Sequence, residues 1–314
     1  MSSQGMRCEQ KLWQQRYNKK HDRTELVEAS VPNLEVEEEA ERQKREYALI
    51  TTDFYNEKQK LEKTVLTVNS PFILKAFKDV IGSYPNVASC FDKPVELESP
   101  FEVLFHHWDA LDNHRRETDS DDVRMHLHLL FDFMQSRLGP DRELVLEMLK
   151  QHQITFKKTW TIFVPGELLC LSQNGHLRLF RCTKTAYEEY NSIGPVWHVY
   201  GRYTDQDGKG AGDVEVETAM IRQKQSFGGD NPAAITDLPV YPFKYWQGDH
   251  DALKSRLLER GNKFLGIQGA SFKHYNGICQ YLKEPPKDYY GDRLGVDAGV
   301  WLPFVVRVSL SLIH

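Results

Sequence analysis

The alternation of apolar and polar positions first becomes regular at Thr64, where the segment TVLTV is β-branched and predicts a strand. Ser70 and Pro71 follow in N-cap and first-turn positions, so a helix should start there and end near Gly82. The segment PVELES predicts a second strand, and Ser99 is placed to cap a second helix in the same way. The folded body is therefore expected to begin with strands that lead into helices.

A third helix has the clearest apolar stripe in the chain. Five apolar residues recur at spacings of four, three, four and four, which places them on one helical face: Val123, Leu127, Leu130, Met134 and Leu138. Gly139 and Pro140 interrupt this pattern and should end the helix. The segment DRELVLEMLKQH then predicts a fourth helix.

After this helical region the pattern changes to short β segments separated by turn residues. They read ITF, TIFVPGELLCL, HLRLFRCTKTAYEEY, PVWHVYGRYT and VEVETAMI. Their close spacing favours antiparallel pairing over βαβ units. We therefore predict an α+β fold, in which a helical region is followed by a mostly antiparallel β-rich region.

The last predicted helix lies in DHDALKSRLLERGNK. Asp249 or Asp251 can cap its start, Leu253 and Leu257 form its buried stripe, and Gly261 suits a left-handed position at its end.

The domain boundaries follow from charge. Residues 1–63 are rich in charged side chains and are expected to be a partly disordered or helical extension, whereas residues 64–300 form the α+β domain. Residues 301–314, WLPFVVRVSLSLIH, are expected to be an atypical tail.

Composition narrows the possible partners. The 314 residues carry a net charge of -5, so a basic surface for nucleic acid is not expected. No apolar run approaches the length of a membrane span, and the five cysteines form no paired framework. An intracellular, monomeric protein of the cytoplasm or nucleus is predicted, with no membrane or nucleic-acid ligand.

Metal and nucleotide sites are not predicted either. On a helix His126 and His128 diverge by about 200°, and the adjacent His106 and His107 by about 100°, so neither pair can share one ion. The segment YTDQDGKGAGDVEVE departs from a calcium loop because Lys209 occupies a ligand position, and it is better explained as a hairpin turn. No complete phosphate-binding loop occurs.

Cysteine catalysis is also not expected, because Cys170 and Cys182 lie in apolar strand segments, where a thiol is buried and inert. We therefore expect no enzyme activity and no cofactor.

Two surfaces remain as candidate partner-binding sites. One is the aromatic run Tyr241, Phe243, Tyr245 and Trp246, in which Pro242 indicates an edge strand that a peptide could extend. The alternative is that these rings close the core against the next helix. The other surface is the basic side of that helix, with Arg256 and Arg260, which could receive a phosphate or an acidic protein, although the helix dipole also favours cations there.

Several segments together resemble the uncharacterised N-terminal domain of fungal AAA-type ATPases, from about Leu66 to Asp297. In order along the chain they are SPFEVLFHHWDAL, HLHLLFDFM, ITFKKTWTIFVPGELL, YTDQDGKGAG, SFGGDNPAAITDLPVYPFKYW, LLERGNKF and HYNGI. In that family the domain precedes a P-loop ATPase module. The resemblance implies a non-catalytic recognition or scaffold region that positions protein partners or substrates around an ATPase ring.

The chain departs from that family at its end, where GDRLGVDAGVW runs into the tail in place of a strand that leads to the ATPase. The Walker motifs are absent from these residues, and we expect a truncated sequence. The alternatives are a stand-alone peptide- or glycan-binding module, or a hydrolase whose site is not visible in sequence motifs.

Overall fold

The computed structural model describes residues 4–18, 23–28, 45–85, 87, 91–173, 176–206 and 210–266. These residues form two five-stranded sheets with helices packed against them. The predicted α+β class, with an antiparallel β-rich second half, is confirmed. The predicted tail at 301–314 and the motif HYNGI lie outside the described residues.

The first sheet has the strand order β2-β1-β3-β4-β5. Its members are β1 (Arg7–Asn18), β2 (Arg23–Glu28), β3 (Tyr47–Tyr55), β4 (Leu61–Val68) and β5 (Val95–Glu98). Strands β1 and β3 are parallel, and all other neighbours are antiparallel.

This sheet differs from the prediction that the folded body starts at Thr64. Strands β1 to β3 precede that residue, and Trp13 and Leu49 are buried. The charged composition misled the sequence interpretation because a strand with one solvated face carries many charges while its other face is buried. Asp53 illustrates the point: it is buried on β3, accepts a hydrogen bond from the Thr64 hydroxyl at 2.7 Å and is paired with Arg137 at 3.3 Å.

Four helices cover the first sheet: α1 (Pro71–Val80), α2 (Glu102–His106), α3 (Trp108–Glu117) and α4 (Asp121–Lys150). The predicted cap of α1 is confirmed, since the Ser70 hydroxyl accepts from the backbone N–H of Ile73. The second predicted cap is wrong. Ser99 stays at the end of the β5 ladder, where its hydroxyl accepts from the N–H of Thr64, and Phe101 precedes α2 instead.

Helix α4 is longer than predicted. Its predicted stripe is buried, with Leu127, Leu130 and Met134 fully enclosed. The predicted break at Gly139 and Pro140 is wrong, because the helix continues through both residues to Lys150. Tertiary burial offsets the local cost of proline here: Leu138 packs in the core before Pro140, and Val145 packs in a second core after it.

The second sheet has the order β10-β9-β8-β7-β12 and is antiparallel throughout. Its strands are β7 (Leu168–Gln173), β8 (His176–Tyr190), β9 (Gly194–Gln206), β10 (Ala211–Arg222) and β12 (Val240–Pro242). A separate pair joins β6 (Gln153–Ile154) to β11 (Ala233–Ala234). The outermost strands β10 and β12 also approach each other, so this sheet curls.

Short helical segments connect these strands: 3-10 helices at Phe156–Ile162, Ile235–Asp237 and Phe243–Tyr245, and the one-turn helix α5 (Gln223–Phe227). The predicted strand over TIF is therefore wrong, because Thr161 and Ile162 end the first 3-10 helix. The hairpin predicted for YTDQDGKGAG is consistent with the pairing of Gln206 with Ala211.

Helix α6 (His250–Leu265) packs on the second sheet. The side chain of Asp249 accepts hydrogen bonds from the N–H groups of Asp251 and Ala252, and Leu253 and Leu257 are buried as predicted. Gly261 does not end the helix. It lies buried within it, and Gly266 is the C-cap. None of the described helices is long and apolar enough to cross a membrane.

Candidate functional site

The aromatic run is divided between the core and the surface. Strand β12 is an edge strand, as predicted, and among the described strands it pairs with β7 alone. Tyr241 and Phe243 are buried in the second core, and burial raises the pKa of the Tyr241 hydroxyl to about 12. Both rings therefore close the core, which is the alternative that the sequence left open, and neither offers a contact surface.

Tyr245 and Trp246 are half-buried and join β12 to α6. The carbonyl of Trp246 accepts a hydrogen bond from Nε2 of His250 at 2.7 Å. The indole packs over Gly248, where an added Cβ would lie 2.5 Å from the indole nitrogen. Lys244 lies over the Tyr245 ring and pairs with Glu167 at 2.9 Å. These contacts hold both rings in place and leave only part of each ring exposed.

The basic side of α6 acquires a third arginine from the sheet. Arg256 and Arg260 are one helical turn apart, and Nη2 of Arg260 donates to the carbonyl of Leu177 at 3.3 Å. Arg178 follows Leu177 on β8 and lies close enough to repel the charge of Arg260. We refer to Arg178, Arg256 and Arg260 as the arginine cluster; sequence reasoning missed Arg178, which is far away along the chain.

A second surface feature, which the sequence analysis also missed, is a groove at the end of the β8–β9 hairpin. A cavity of about 230 Å³ is lined by Phe156, Lys157, Tyr187, Pro195, Trp197 and Gln223. Past Pro195 and Gln223 it opens into a wider recess of about 600 Å³ beside residues 222–230. We refer to the cavity and this recess together as the hairpin groove.

Cross-strand pairing builds the aromatic wall of the hairpin groove. Tyr187 and Trp197 are direct partners on β8 and β9, with ring centroids 5.4 Å apart. The indole N–H of Trp197 donates to the carbonyl of Phe156 at 2.9 Å, which fixes the ring. Tyr187 remains half exposed, at 50% of its full accessible surface. The wall is thus rigid on one side and open to a ligand on the other.

The rim of the hairpin groove is cationic. Lys157, Arg222 and Lys224 border it, and none of them forms an ion pair within the part of the chain that the structure describes. Asp230 is the acidic residue at the rim, and its carboxylate accepts from Gln223 Nε2 at 2.9 Å. A local excess of positive charge on a chain of net charge -5 favours an acidic ligand here.

On the opposite face of the same hairpin, His198 is held by polar partners. Its Nδ1 lies 2.9 Å from Glu217, and its Nε2 lies 3.1 Å from the Tyr190 hydroxyl. Tyr190 also contacts Glu188. Residues 187 and 190 lie on opposite faces of β8, so this network is separate from the hairpin groove.

A buried polar cluster lies where the two halves meet. Nε2 of His106 faces the carbonyl of Trp160 at 3.1 Å, and its Nδ1 faces the Tyr84 hydroxyl at 2.8 Å. A carbonyl only accepts, so Nε2 carries the proton and Nδ1 accepts from Tyr84. Burial lowers the pKa of His106 to about 4, and burial raises the pKa of the nearby Glu102 to about 7.

The cysteines of the second sheet are buried, as predicted. Cys170 and Cys182 are free thiols in the core, and burial raises the pKa of Cys182 to about 12. A thiol in that environment stays protonated at neutral pH, whereas a nucleophilic cysteine needs a lowered pKa.

The histidines considered as metal ligands lie in separate environments. His126 is buried with Nδ1 2.8 Å from the Ser70 hydroxyl, and His128 Nδ1 lies 2.8 Å from Nη1 of Arg115. Within the described ranges, no group of three His, Cys, Asp or Glu side chains is arranged to hold a metal ion.

Comparison with known families assigns part of the chain. Residues 145–247 match the family described as Domain of unknown function (DUF7025). No curated protein and no solved structure matches the chain. The matched range contains the last six residues of α4, the second sheet and all residues of the hairpin groove, so the similarity covers the part of the chain that carries this groove.

Proposed function

We propose that this chain is a non-catalytic recognition region whose DUF7025 domain binds an acidic protein segment in the hairpin groove. The observation that carries the proposal is the half-exposed ring of Tyr187 beside a cavity whose cationic rim forms no ion pair with the described residues. The cavity alone holds about 230 Å³, which is below the usual range for small-molecule pockets and suits a single large side chain of a peptide, while the adjoining recess of about 600 Å³ would take the neighbouring peptide residues.

In this arrangement the aromatic wall binds one anchoring side chain of the peptide, and the cationic rim favours acidic residues next to it in the peptide. An aromatic or leucine side chain would pack against Tyr187 and Trp197. Acidic residues on either side would face Lys157 and Lys224, whose charges increase the association rate and exclude basic segments.

We further propose that the region belongs to an AAA-type ATPase of the fungal kind, in which a separate P-loop module hydrolyses ATP. Three of the segments that carry this resemblance lie within the DUF7025 match, at residues 154–169, 203–212 and 226–246. The last of these includes residues 226–230, which adjoin the recess of the hairpin groove. The domain would then select proteins for the ATPase.

The candidate residues on β12 and α6 support the same role, but fewer of them can contact a partner than the sequence suggested. The exposed edges of Tyr245 and Trp246 and the guanidinium groups of Arg256 and Arg260 could contact a protein partner, whereas Tyr241 and Phe243 cannot do so in the folded domain. A stand-alone peptide-binding module would use the same groove, so only the presence of an ATPase module distinguishes the two.

A displayed peptide library tests the proposal directly. Selection on the purified chain should enrich acidic peptides with one aromatic or leucine residue, with micromolar affinity by calorimetry. Tyr187→Ala should weaken binding by about tenfold, the loss typical of a partly exposed aromatic contact. Tyr190→Ala is the matched control, since it removes a tyrosine from the other face of the same strand.

Three outcomes would overturn the proposal: no enrichment of acidic peptides, equal binding by the Tyr187→Ala and wild-type proteins, or preferential binding of a single-stranded oligonucleotide that is lost in Tyr187→Ala. The last outcome would assign the aromatic wall to base stacking. Circular dichroism of both variants should first establish that they are folded.

A further inference from the structure

The arginine cluster brings together three positive charges, and none of them is paired with a carboxylate among the residues that the structure describes. Arg256 and Arg260 occupy adjacent turns of α6, and Arg260 contacts the carbonyl of Leu177, the residue before Arg178. Both Arg178 and Arg256 lie close enough to repel the charge of Arg260. Like charges at this helical spacing repel one another. The cluster therefore lowers the stability of the domain unless an anion neutralises it.

Arg260 supplies the second observation. Its Nε is buried, and within the described residues it has no hydrogen-bond partner. A buried N–H of a charged group without an acceptor is costly, and protein structures rarely leave one unpaired. The guanidinium group of Arg260 therefore donates a hydrogen bond from Nη2, whereas its Nε donor is unsatisfied among the described residues.

The nearest acidic residue on α6 is directed elsewhere. Glu259 pairs with Lys263 at 2.6 Å, and this hydrogen bond lowers the pKa of its carboxyl group. Arg178 and Arg256, in contrast, form no ion pair in the described part of the chain. Burial, followed by repulsion from Arg178 and Arg256, lowers the pKa of Arg260, as expected for a cation held near others of its kind.

We infer that Arg178, Arg256 and Arg260 form a binding site for a dianionic phosphate monoester. A carboxylate offers two oxygens and one charge to three guanidinium forks. A phosphoryl group offers three acceptor oxygens and a charge near −2, and arginine binds it through paired, charge-assisted hydrogen bonds. The phosphate could belong to a small molecule or to a modified protein side chain.

This site is separate from the hairpin groove. Arg178 and Tyr187 are nine residues apart on β8, or roughly 30 Å at 3.3 Å per residue. The inference therefore does not depend on the proposed function, and variants of one site should leave the other intact.

Calorimetric titration of the full chain with inorganic phosphate, at constant ionic strength, tests the site. We expect the wild type to bind phosphate saturably, and each of the single variants Arg178→Gln and Arg256→Gln to bind it about tenfold more weakly. Arg260→Gln removes a half-buried residue that supports the fold, so the two more peripheral variants carry the test. Arg202→Gln is the matched control, because Arg202 is an exposed strand arginine paired with Asp213.

A phosphoserine peptide and its unphosphorylated counterpart then distinguish the two sources. Tighter binding of the phosphopeptide than of inorganic phosphate would indicate a protein-borne ligand, and equal binding would indicate a small one. The inference fails if phosphate does not saturate, if acetate binds equally well, if the cluster variants bind like Arg202→Gln, or if only anionic lipid vesicles bind.

Discussion

His106 donates a hydrogen bond from Nε2 to the backbone carbonyl of Trp160 across 3.1 Å, and this contact joins the half built on the first sheet to the half built on the second. His106 belongs to α2 over the first sheet, whereas Trp160 lies in the 3-10 helix that supports the second. The ring must stay neutral to accept from Tyr84 at its other nitrogen. The junction between the two halves is therefore sensitive to acid.

Protonation of His106 should destabilise the folded protein at acid pH. The pKa of His106 is lowered to about 4 in the folded state from about 6.5 in the unfolded state, so the unfolded chain binds more protons between these values. The stability that neutral His106 contributes is present above pH 6.5 and is lost as pH falls toward 4. Urea denaturation of wild type and His106→Gln should show this acid-side loss in the wild type and a smaller loss in the variant.

His107→Gln is the adjacent control, since its ring is only half-buried and contacts the carbonyl of Val103 within its own helix. An acid-side loss of equal size in His106→Gln and wild type would mean that other groups cause it.

Glu102 should produce the opposite trend. Burial raises the pKa of its carboxyl group to about 7, so the folded state binds more protons than the unfolded state between about pH 4.5 and 7. Its contribution is fully present below pH 4.5 and is lost as pH rises through 7. Glu102→Gln should therefore increase the unfolding free energy at pH 8 by on the order of 1 to 2 kcal/mol, less than the full shift because the residue is partly exposed.

At pH 4.5 the same substitution should have little effect, and Glu143→Gln, an exposed glutamate on α4, should have little effect at either pH. A Glu102→Gln protein that is no more stable than wild type at pH 8 would contradict the assignment.

Pro140 allows a test of whether burial in the two cores offsets the local cost of a proline inside α4. Pro140 cannot donate to the carbonyl one turn earlier, so Pro140→Ala should stabilise the helix. We expect the unfolding free energy measured by urea denaturation to rise by about 1 to 2 kcal/mol. This is less than the difference in helix propensity between proline and alanine, because alanine also increases the conformational entropy of the unfolded chain. A loss of stability would show that the two cores need the backbone geometry that proline imposes.

Gly248 is predicted to be intolerant of a side chain. A Cβ at this position would lie 2.5 Å from the Trp246 indole nitrogen, which is closer than atoms can approach. Gly248→Ala should displace the ring, change its fluorescence and lower stability by about 1 to 3 kcal/mol. Gly212→Ala is the control, since an added Cβ there meets open space, and a similar effect of both substitutions would contradict the packing described for Trp246.

The sequence predicted features that depend on neighbours along the chain. The stripe from Val123 to Leu138, the Ser70 cap and the β8–β9–β10 meander all follow from local periodicity and turn residues. The failures have a common cause, which is that burial by distant segments overrides local preference. Strand β3 is a strand because Leu49 belongs to the same core as apolar residues of α1 and α4, and α4 passes through Pro140 because each of its halves has a core to join.

The candidate sites depended even more on such distant contacts. The aromatic wall exists only because Tyr187 and Trp197 become partners when β8 and β9 pair, and no spacing rule links the two residues in advance. Arg256 and Arg260 were recognised from their helical spacing, but the third member of the arginine cluster comes from a strand. A signal was present in the alternation along PVWHVYGRYT, which placed Trp197 and His198 on opposite faces.

The length of helix α4 affects how the protein responds to a pulling force. Its 30 residues form a rod of about 45 Å whose two ends are embedded in different cores. A force applied to either sheet is carried along this rod, so neither half can be pulled away without extracting part of a helix from the other. The two halves should therefore resist traction as one body.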